Sequence, residues 1–175
     1  MVAGLTFHIF HEHCDRVEMA NIAQVVNVLQ SVILTEGEKM ILTPTYHVFD
    51  MYKVHQDAEH LYSHTVTADY ELDGNKIPQV SVSASKDKNG AIHISLCNLS
   101  HVDQADLKID LRGLTGSRVK VSGTELKAST MDAHNTFDHP DHVAPTEFTG
   151  FKLNGTDIQV KLAPMSVTVL ELIAE

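Results

Sequence analysis

The stretch from Val80 to Leu96 reads VSVSASKDKNGAIHISL and predicts two antiparallel strands joined by a tight turn. Apolar and polar residues alternate in Val80 to Ser85 and again in Ala91 to Leu96, which is typical of strands with one buried face. The Lys88-Asn89-Gly90 segment favours a hairpin, because Asn-Gly tolerates the positive φ angles of a type I′ turn. The centre of the chain is therefore predicted to be a β-hairpin.

The same alternation continues on both sides of this hairpin. It is found in Thr65 to Leu72, Leu107 to Leu111, Val119 to Leu126, Ile158 to Leu162 and Val167 to Leu172. About seven short strands at this spacing favour an antiparallel β-sandwich. Met131 to Thr149 follows neither period, so we expect a long loop that lies across a sheet edge.

The first 57 residues differ, because helical patterns replace the short alternating segments. Gly4 to His13 predicts a helix, although Leu5, Phe7 and Ile9 also alternate like a strand. Val17 to Ala23 is a short, largely apolar run that predicts a buried strand.

A second helix is indicated further along this part of the chain. Ser31 to Thr35 and Met40 to Thr43 are predicted to be two extended pieces around a turn. Thr43 is a good N-cap and Pro44 suits the first helical position, which predicts a helix that runs to about His55.

Composition excludes several classes of protein. The 175 residues carry 23 acidic and 13 basic side chains, a net charge of -10, and no cluster of Lys and Arg, which argues against binding to nucleic acid. The longest apolar stretch, Val25 to Leu34, is interrupted and falls short of the roughly 20 residues of a membrane helix. The first residues carry no basic region of a secretory signal. We expect no membrane partner and a cytoplasmic location.

Histidines and cysteines raise the question of a metal or disulfide. His8, His11, Glu12 and His13 are close in sequence, but they lack a His-Glu-x-x-His spacing, so a polar helix face is the favoured interpretation. A second group in the predicted loop, around His134, His139 and His142, has the same weakness. Cys14 and Cys97 lack a C-x-x-C partner and are expected to be two buried free thiols, although they could pair. We expect no metal and no cofactor.

Four segments carry a resemblance to a known family. They are Met19 to Gln30, Ile41 to Gln56, Asn135 to Asp138 and Leu162 to Leu172, and together they resemble the α-L-arabinofuranosidases of glycoside hydrolase family 51. Members of that family are much longer and match only over their C-terminal third. They combine a catalytic (β/α)₈ barrel with a β-sandwich.

The resemblance implies an α+β fragment with two parts. Residues 1–57 would be the last β/α elements of the (β/α)₈ TIM barrel, with Val17 to Ala23 as its eighth strand. Residues 58–175 would be an antiparallel, jelly-roll-like β-sandwich. An incomplete barrel exposes strand edges, so we expect residues 1–57 to be loosely ordered, aggregation-prone or docked against another copy unless the missing N-terminal barrel portion is present.

The resemblance also implies a sugar-binding residue. Catalytic groups of such barrels lie at the C-terminal ends of the strands, and Gln24 follows directly after Ala23. The matching glutamine in the family hydrogen-bonds the arabinofuranosyl ring, whereas Gln24 could instead cap a strand end. Asn21 and Asn27 lie on the same segment and are further candidates for this substrate-binding pocket.

The implied reaction is retaining hydrolysis by two carboxylates about 5 Å apart. The family places one glutamate after an asparagine and the other in a tryptophan-containing motif, and this chain has no Asn-Glu pair and no Trp. We therefore assign no catalytic residue here. The expected substrates are arabinoxylan, arabinan and other arabinofuranose-containing saccharides, and the full-length enzyme is expected to be a homo-oligomer.

An alternative from another class is a non-catalytic β-sandwich module for structural assembly or carbohydrate binding. The self-contained strand pattern from Ser63 to Glu175 supports it. Its aromatic content does not favour sugar binding, because Tyr62 and Tyr70 are the only tyrosines in that half and there is no Trp.

Overall fold

The computed structural model describes residues 1–23, 25–113, 119–155 and 157–174. Within these ranges the helices are α1 (Val2–Glu12) and α2 (Pro44–Tyr52), and a 3₁₀ turn, Lys53–His55, follows α2. The strands are β1 (Ile33–Glu36), β2 (Lys39–Leu42), β3 (Glu59–Leu61), β4 (Asp69–Leu72), β5 (Asn75–Pro78), β6 (Val80–Lys86), β7 (Ile92–Asn98), β8 (Ala105–Asp110), β9 (Val119–Lys127), β10 (Thr146–Glu147), β11 (Phe151–Asn154), β12 (Asp157–Leu162) and β13 (Ser166–Ala174).

Two antiparallel sheets face each other across the main hydrophobic core. The larger has the strand order β10-β9-β13-β7-β6-β3 and the smaller has the order β11-β12-β8. Side chains from both sheets fill the space between them, and Leu96, Ile158, Leu162, Leu170 and Leu172 are almost completely inaccessible to solvent. The prediction of an antiparallel sandwich from alternating segments is confirmed.

The central hairpin is also confirmed, but its turn differs from the prediction. Strands β6 and β7 pair from Val80↔Asn98 to Lys86↔Ile92. The Oδ1 atom of Asp87 accepts hydrogen bonds from the backbone N–H groups of Asn89 and Ala91, both at 2.9 Å. Gly90 has a φ of +89°, whereas Asn89 does not have a positive φ, so the type I′ turn is wrong. The Asp87 carboxylate supports a longer loop in its place.

Four strands were not predicted from the sequence: β3, β5, β10 and β11. They are short, and in β5 every residue is exposed, so little alternation is present to indicate them. The strand predicted at Thr65 to Leu72 forms only over its last part, as β4. The loop predicted at Met131 to Thr149 is confirmed apart from β10, which pairs with the end of β9.

The helices form a third layer on the outer face of the larger sheet. Met51 and Tyr52 of α2 share a second buried cluster with Cys97, Leu126 and Val167 of the sheet. Both predicted helices are confirmed, and the hydroxyl of Thr43 accepts the hydrogen bond from the N–H of Tyr46 as the N-cap. The sheet of the same chain covers one face of each helix, since α1 contacts β6 and α2 contacts β9 and β13.

The predicted strand at Val17 to Ala23 does not form. None of these residues pairs with a described strand, and the side chain of Met19 is 75% exposed. A β-strand requires a neighbour for its backbone N–H and C=O groups. The nearest strands, β1 and β2, pair with each other as a hairpin, which confirms the two extended pieces predicted around Gly37.

Gly4 allows α1 to approach the sheet closely. A Cβ atom at this position would lie 2.8 Å from Sγ of Cys97 and 3.1 Å from Oη of Tyr52. Both neighbours are buried and cannot move freely. A side chain at residue 4 would therefore push the helix away from β7.

We expect Gly4→Ala to lower the free energy of unfolding by about 1 kcal/mol, because the clash outweighs the better helix propensity of alanine. Urea denaturation measures this change. The same substitution in a Cys97→Ala background should cost less, since the nearest atom is gone. An equal cost in both backgrounds would show that contact with Cys97 does not limit the approach of α1.

Candidate functional site

The segment predicted to bind sugar lies at the surface beside the β1–β2 hairpin. Gln24 lies outside the described residues. Asn21 is exposed, and its side-chain amide makes no hydrogen bond to any other described residue. A bridge between Val26 and Ile33 connects the segment to β1. The exposed position of Asn21 is compatible with contact to a ligand.

Asn27 is fully engaged by its own chain. Its Nδ2 group donates to the carbonyl oxygen and the hydroxyl of Thr35 at 3.1 and 2.8 Å, and its Oδ1 atom accepts from the N–H of Thr35 at 2.7 Å. Asn27 also has a positive φ of 54°, a conformation that asparagine tolerates better than most residues. Its side chain holds the loop to β1 and has no unused donor.

Seven large apolar side chains between residues 2 and 40 are exposed. They are Val2, Ile9, Met19, Val25, Val26, Leu29 and Met40. On α1, Val2 and Ile9 point outward, whereas Gly4 and His8 are buried against the sheet. Leu5 and Phe7 of the same helix pack against the second buried cluster. Exposed large apolar side chains are a feature of interaction surfaces when they lie together.

A histidine–serine interface joins α1 to the larger sheet. Nδ1 of His8 lies 2.8 Å from Oγ of Ser81, and Nδ1 of His11 lies 2.9 Å from Oγ of Ser83. Ser81 and Ser83 alternate along β6 with Val82 and Ala84, which pack against the main core. His8 and His11 therefore lie on one face of α1, and this face packs on the sheet.

His55 extends this interface to β7. Its Nδ1 atom is 2.7 Å from Oγ of Ser85, and its Nε2 atom is 2.5 Å from Oγ of Ser95. Ser95 has no exposed surface. We call the contacts of His8, His11 and His55 with Ser81, Ser83, Ser85 and Ser95 the histidine–serine interface.

A tyrosine and a cysteine complete the buried contacts. Oη of Tyr52 lies 2.8 Å from Nε2 of His8 and 3.4 Å from Sγ of Cys97. Burial raises the pKa of the Cys97 thiol to about 11, so this group is a neutral thiol rather than a reactive thiolate. Cys97 is buried as expected, but Cys14 is exposed, which corrects the prediction of two buried thiols; both are free.

Burial keeps these imidazoles neutral. Desolvation, with a smaller contribution from His11, lowers the pKa of His8 to about 3. Desolvation and the nearby His60 lower the pKa of His11 to about 4. The pKa of His55 is lowered to about 3 by desolvation and by neighbouring histidines, of which His11 contributes most. A neutral imidazole has one donor and one acceptor, and His8 and His55 use both.

The histidines do not form a metal site in the described part of the chain. No three His, Cys, Asp or Glu side chains there are grouped around a point where an ion could bind. In the loop, His134 contacts the carbonyl oxygen of Asp132, and His139 and His142 are exposed. No helix among the described residues is both long and apolar enough to cross a membrane.

Asn135 fixes the long loop to the helical layer. It is only 3% exposed, and its Nδ2 group donates to the carbonyl oxygens of Leu42 and Val143 at 2.8 and 3.0 Å. Its Oδ1 atom accepts from the N–H of Val143 at 2.7 Å. The segment Asn135 to Asp138 therefore begins with a structural residue that connects the loop to the end of β2.

An open cleft of about 710 Å³ lies between the two sheets. Apolar residues of β6 and β7, including Val82, Ile92 and Ile94, form part of its wall. Tyr62, which is 88% exposed, and the charged residues Lys108 and Arg112 also border it. The cleft is the place where this domain could contact an extended ligand by itself.

Comparison with known proteins assigns this helix-backed sandwich to a family of C-terminal domains. Residues 1–166 match the family described as "Alpha-L-arabinofuranosidase C-terminal domain". The chain belongs to this family. It is 45% identical over 172 residues to a Bacteroides ovatus protein named intracellular exo-alpha-L-arabinofuranosidase. That match covers 98% of this chain but 33% of the relative, so the chain spans about a third of the relative's length.

Solved structures give the same assignment. The family 51 arabinofuranosidase from Xanthomonas axonopodis pv. citri matches with a TM-score of 0.93 and 44% identity, over 98% of this chain and 34% of that protein. An α-L-arabinofuranosidase from Thermotoga maritima, solved as an arabinose complex, matches with a TM-score of 0.84 and 25% identity, over 99% of this chain and 37% of that protein. The chain therefore has the fold of the C-terminal region of these enzymes.

We expect Asn135→Ala to lower the free energy of unfolding by about 2 kcal/mol, because it leaves the N–H of Val143 and two carbonyl oxygens without partners. Thermal unfolding measures the change. His134→Ala, at an exposed position of the same loop, should change it by less than about 0.5 kcal/mol. Similar losses for the two variants would contradict the structural role of Asn135.

Proposed function

We propose that this chain is the C-terminal portion of a retaining α-L-arabinofuranosidase that releases terminal arabinofuranosyl groups from arabinoxylan, arabinan or arabino-oligosaccharides. The observation that carries the proposal is the family match over residues 1–166. The preceding two thirds of the relatives would supply the rest of a (β/α)₈ barrel. A jelly-roll-like sandwich would then follow the last barrel elements.

The exposed apolar surface supports a barrel portion as the partner. Seven large apolar side chains are exposed between residues 2 and 40. Burying such side chains against a matching surface is favourable by about 25 cal/mol per Å². We propose that residues 1–57 are the barrel side of the chain and that residues 58–175 are the sandwich. Helices α1 and α2 would then connect the two, since their other face is packed on the sheet.

The sugar contact is assigned to the segment beside β1. Gln24 and Asn21 are proposed to hydrogen-bond the arabinofuranosyl ring, and the free amide of Asn21 is consistent with that role. Asn27 would act indirectly, because Thr35 uses its amide and the bond holds the loop in place. Both catalytic carboxylates would come from the preceding portion, about 5 Å apart as retaining chemistry requires.

The proposal extends to the location and the oligomeric state of the full-length enzyme. The Bacteroides ovatus protein is named as intracellular, which supports a cytoplasmic location for this chain. We propose a homo-oligomer for the full-length enzyme, in line with the family resemblance. No cofactor or metal is needed for hydrolysis by two carboxylates.

An alternative is a free-standing module that binds carbohydrate or supports assembly. The observation that favours it is the cleft between the sheets, where Tyr62 offers an exposed ring on which a sugar could stack. The two functions differ in what they need. The module binds without the barrel portion, whereas the enzyme is active only with it.

The test is to co-express this chain with the preceding two thirds of the Bacteroides ovatus relative and to assay a chromogenic α-L-arabinofuranoside. We expect activity only when both parts are present. In the active complex, Gln24→Ala should lower kcat/KM by about a hundredfold, because a ring contact is lost in the transition state. Gln159→Ala, on an exposed position of β12, is the matched control and should leave the activity unchanged.

Three outcomes decide between the functions. Equal activity of the Gln24→Ala and Gln159→Ala complexes would show that Gln24 does not contact the sugar. A stable complex that has no activity would contradict the proposed function as part of an arabinofuranosidase. Binding of arabino-oligosaccharides by the isolated chain, lost on Tyr62→Ala, would favour the module.

A further inference from the structure

The contact between the helices and the larger sheet concentrates imidazoles in a buried space. The ring centroids of His11 and His55 are 4.7 Å apart, and those of His55 and His93 are 6.4 Å apart. His8 stacks on the ring of Tyr52 with centroids 5.6 Å apart. Four histidines from α1, the 3₁₀ turn and β7 therefore share one interface.

The partners of these imidazoles are hydroxyl groups. Within the described ranges, no carboxylate lies within salt-bridge distance of His8, His11 or His55, and each of them contacts serine instead. The nearest ion pair is at the margin, where Oδ2 of Asp87 is 3.6 Å from Nε2 of His93. A proton added to the interior of the interface would have no counter-charge there, and such a charge is costly to bury.

The groups that face this interface come from every element around it. Helix α1 contributes His8, His11 and the Met1 amine, which interacts with Cys97. The other helical elements contribute Tyr52 of α2 and His55 of the 3₁₀ turn. The sheet contributes His60 of β3, Asp87 of the β6–β7 turn, His93 and Cys97 of β7, and Glu171 of β13, which pairs in register with His93. Two of these groups are carboxylates, Asp87 and Glu171, and both lie close to His93. None of them neutralises a charge on His8 or His11.

We propose that the histidine–serine interface is a pH-sensitive latch, in which proton uptake by His8, His11 and His55 releases α1 and the 3₁₀ turn from the sheet while the sandwich core stays folded. The buried histidines among the described residues are His8 of α1, His47 of α2 and His93, whose ring faces that of His55 on the helical side of the sheet. Acid therefore acts on the outer face of the larger sheet and leaves the inner face unchanged. This proposal concerns the chain itself and does not rest on the sugar site.

The direction of the effect follows from the burial of the rings. Their pKa values when docked are about 3 to 4, against 6.5 for a free histidine. Between these values the released state binds more protons than the docked state. The docked state is fully stable above about pH 6.5 and loses stability as the pH falls below it. Each proton taken up makes the opening equilibrium about tenfold more favourable per pH unit.

Hydrogen exchange by mass spectrometry tests the latch on the 175-residue chain between about pH 7 and pH 5, with rates corrected for the intrinsic pH dependence. From about pH 6 to pH 5 we expect the opening of α1 to become at least tenfold more favourable, and up to about a thousandfold if all three rings take up protons. The protection of β12 should not change. Opening of α1 that is independent of pH, or that occurs in step with β12, would overturn the proposal.

Variants separate the latch from general acid sensitivity. His8→Gln/His11→Gln/His55→Gln retains hydrogen-bonding side chains without the titration, so the exposure of α1 should no longer depend on pH. His134→Gln/His142→Gln changes two exposed loop histidines and should keep the full pH dependence. If the triple variant does not fold, His55→Gln alone should reduce the dependence by about one proton. An unchanged dependence in His55→Gln would contradict the latch.

Discussion

Hydrogen bonds between neutral imidazoles and serine hydroxyls join the helical layer to the larger sheet beside the apolar contacts of the second buried cluster, and the position of that layer depends on them. Strand β6 presents alanine and valine to the main core and serine to the helices. A buried hydroxyl without a partner is destabilising. His8, His11 and His55 provide the partners, and so the sheet is buried on both faces instead of one.

This constraint explains the close packing and the composition of α1. The helix turns its small and polar residues, Gly4 and His8, toward the sheet and its apolar residues, Val2 and Ile9, outward. Other apolar residues of the helix, Ala3, Leu5 and Phe7, pack against the second buried cluster. Under the proposed function, the exposed Val2 and Ile9 would contact the barrel portion, and α1 would then be shared between two cores.

The sequence was sufficient to predict the antiparallel sheets, both helices and the N-cap at Thr43, because alternation and capping are local signals. It could not predict that the polar faces of β6 and β7 are buried, since alternation does not distinguish water from a layer of histidines. The strand at Val17 to Ala23 failed for a related reason: an apolar run has strand character only when another strand pairs with it. For the candidate site, the sequence indicated Asn27 only as a sugar contact, because its hydrogen bonds to Thr35 of β1 join residues eight positions apart and no short pattern reveals them.

A double-mutant cycle between His55 and Ser95 tests most directly whether imidazole–hydroxyl bonds join the layers. His55→Ala, Ser95→Ala and the double variant are compared by urea denaturation at about pH 8, where the ring is neutral in both states. The account predicts a coupling energy of about 1 kcal/mol or more, because each substitution leaves the other group buried without a partner. Additive effects, within about 0.5 kcal/mol, would contradict it.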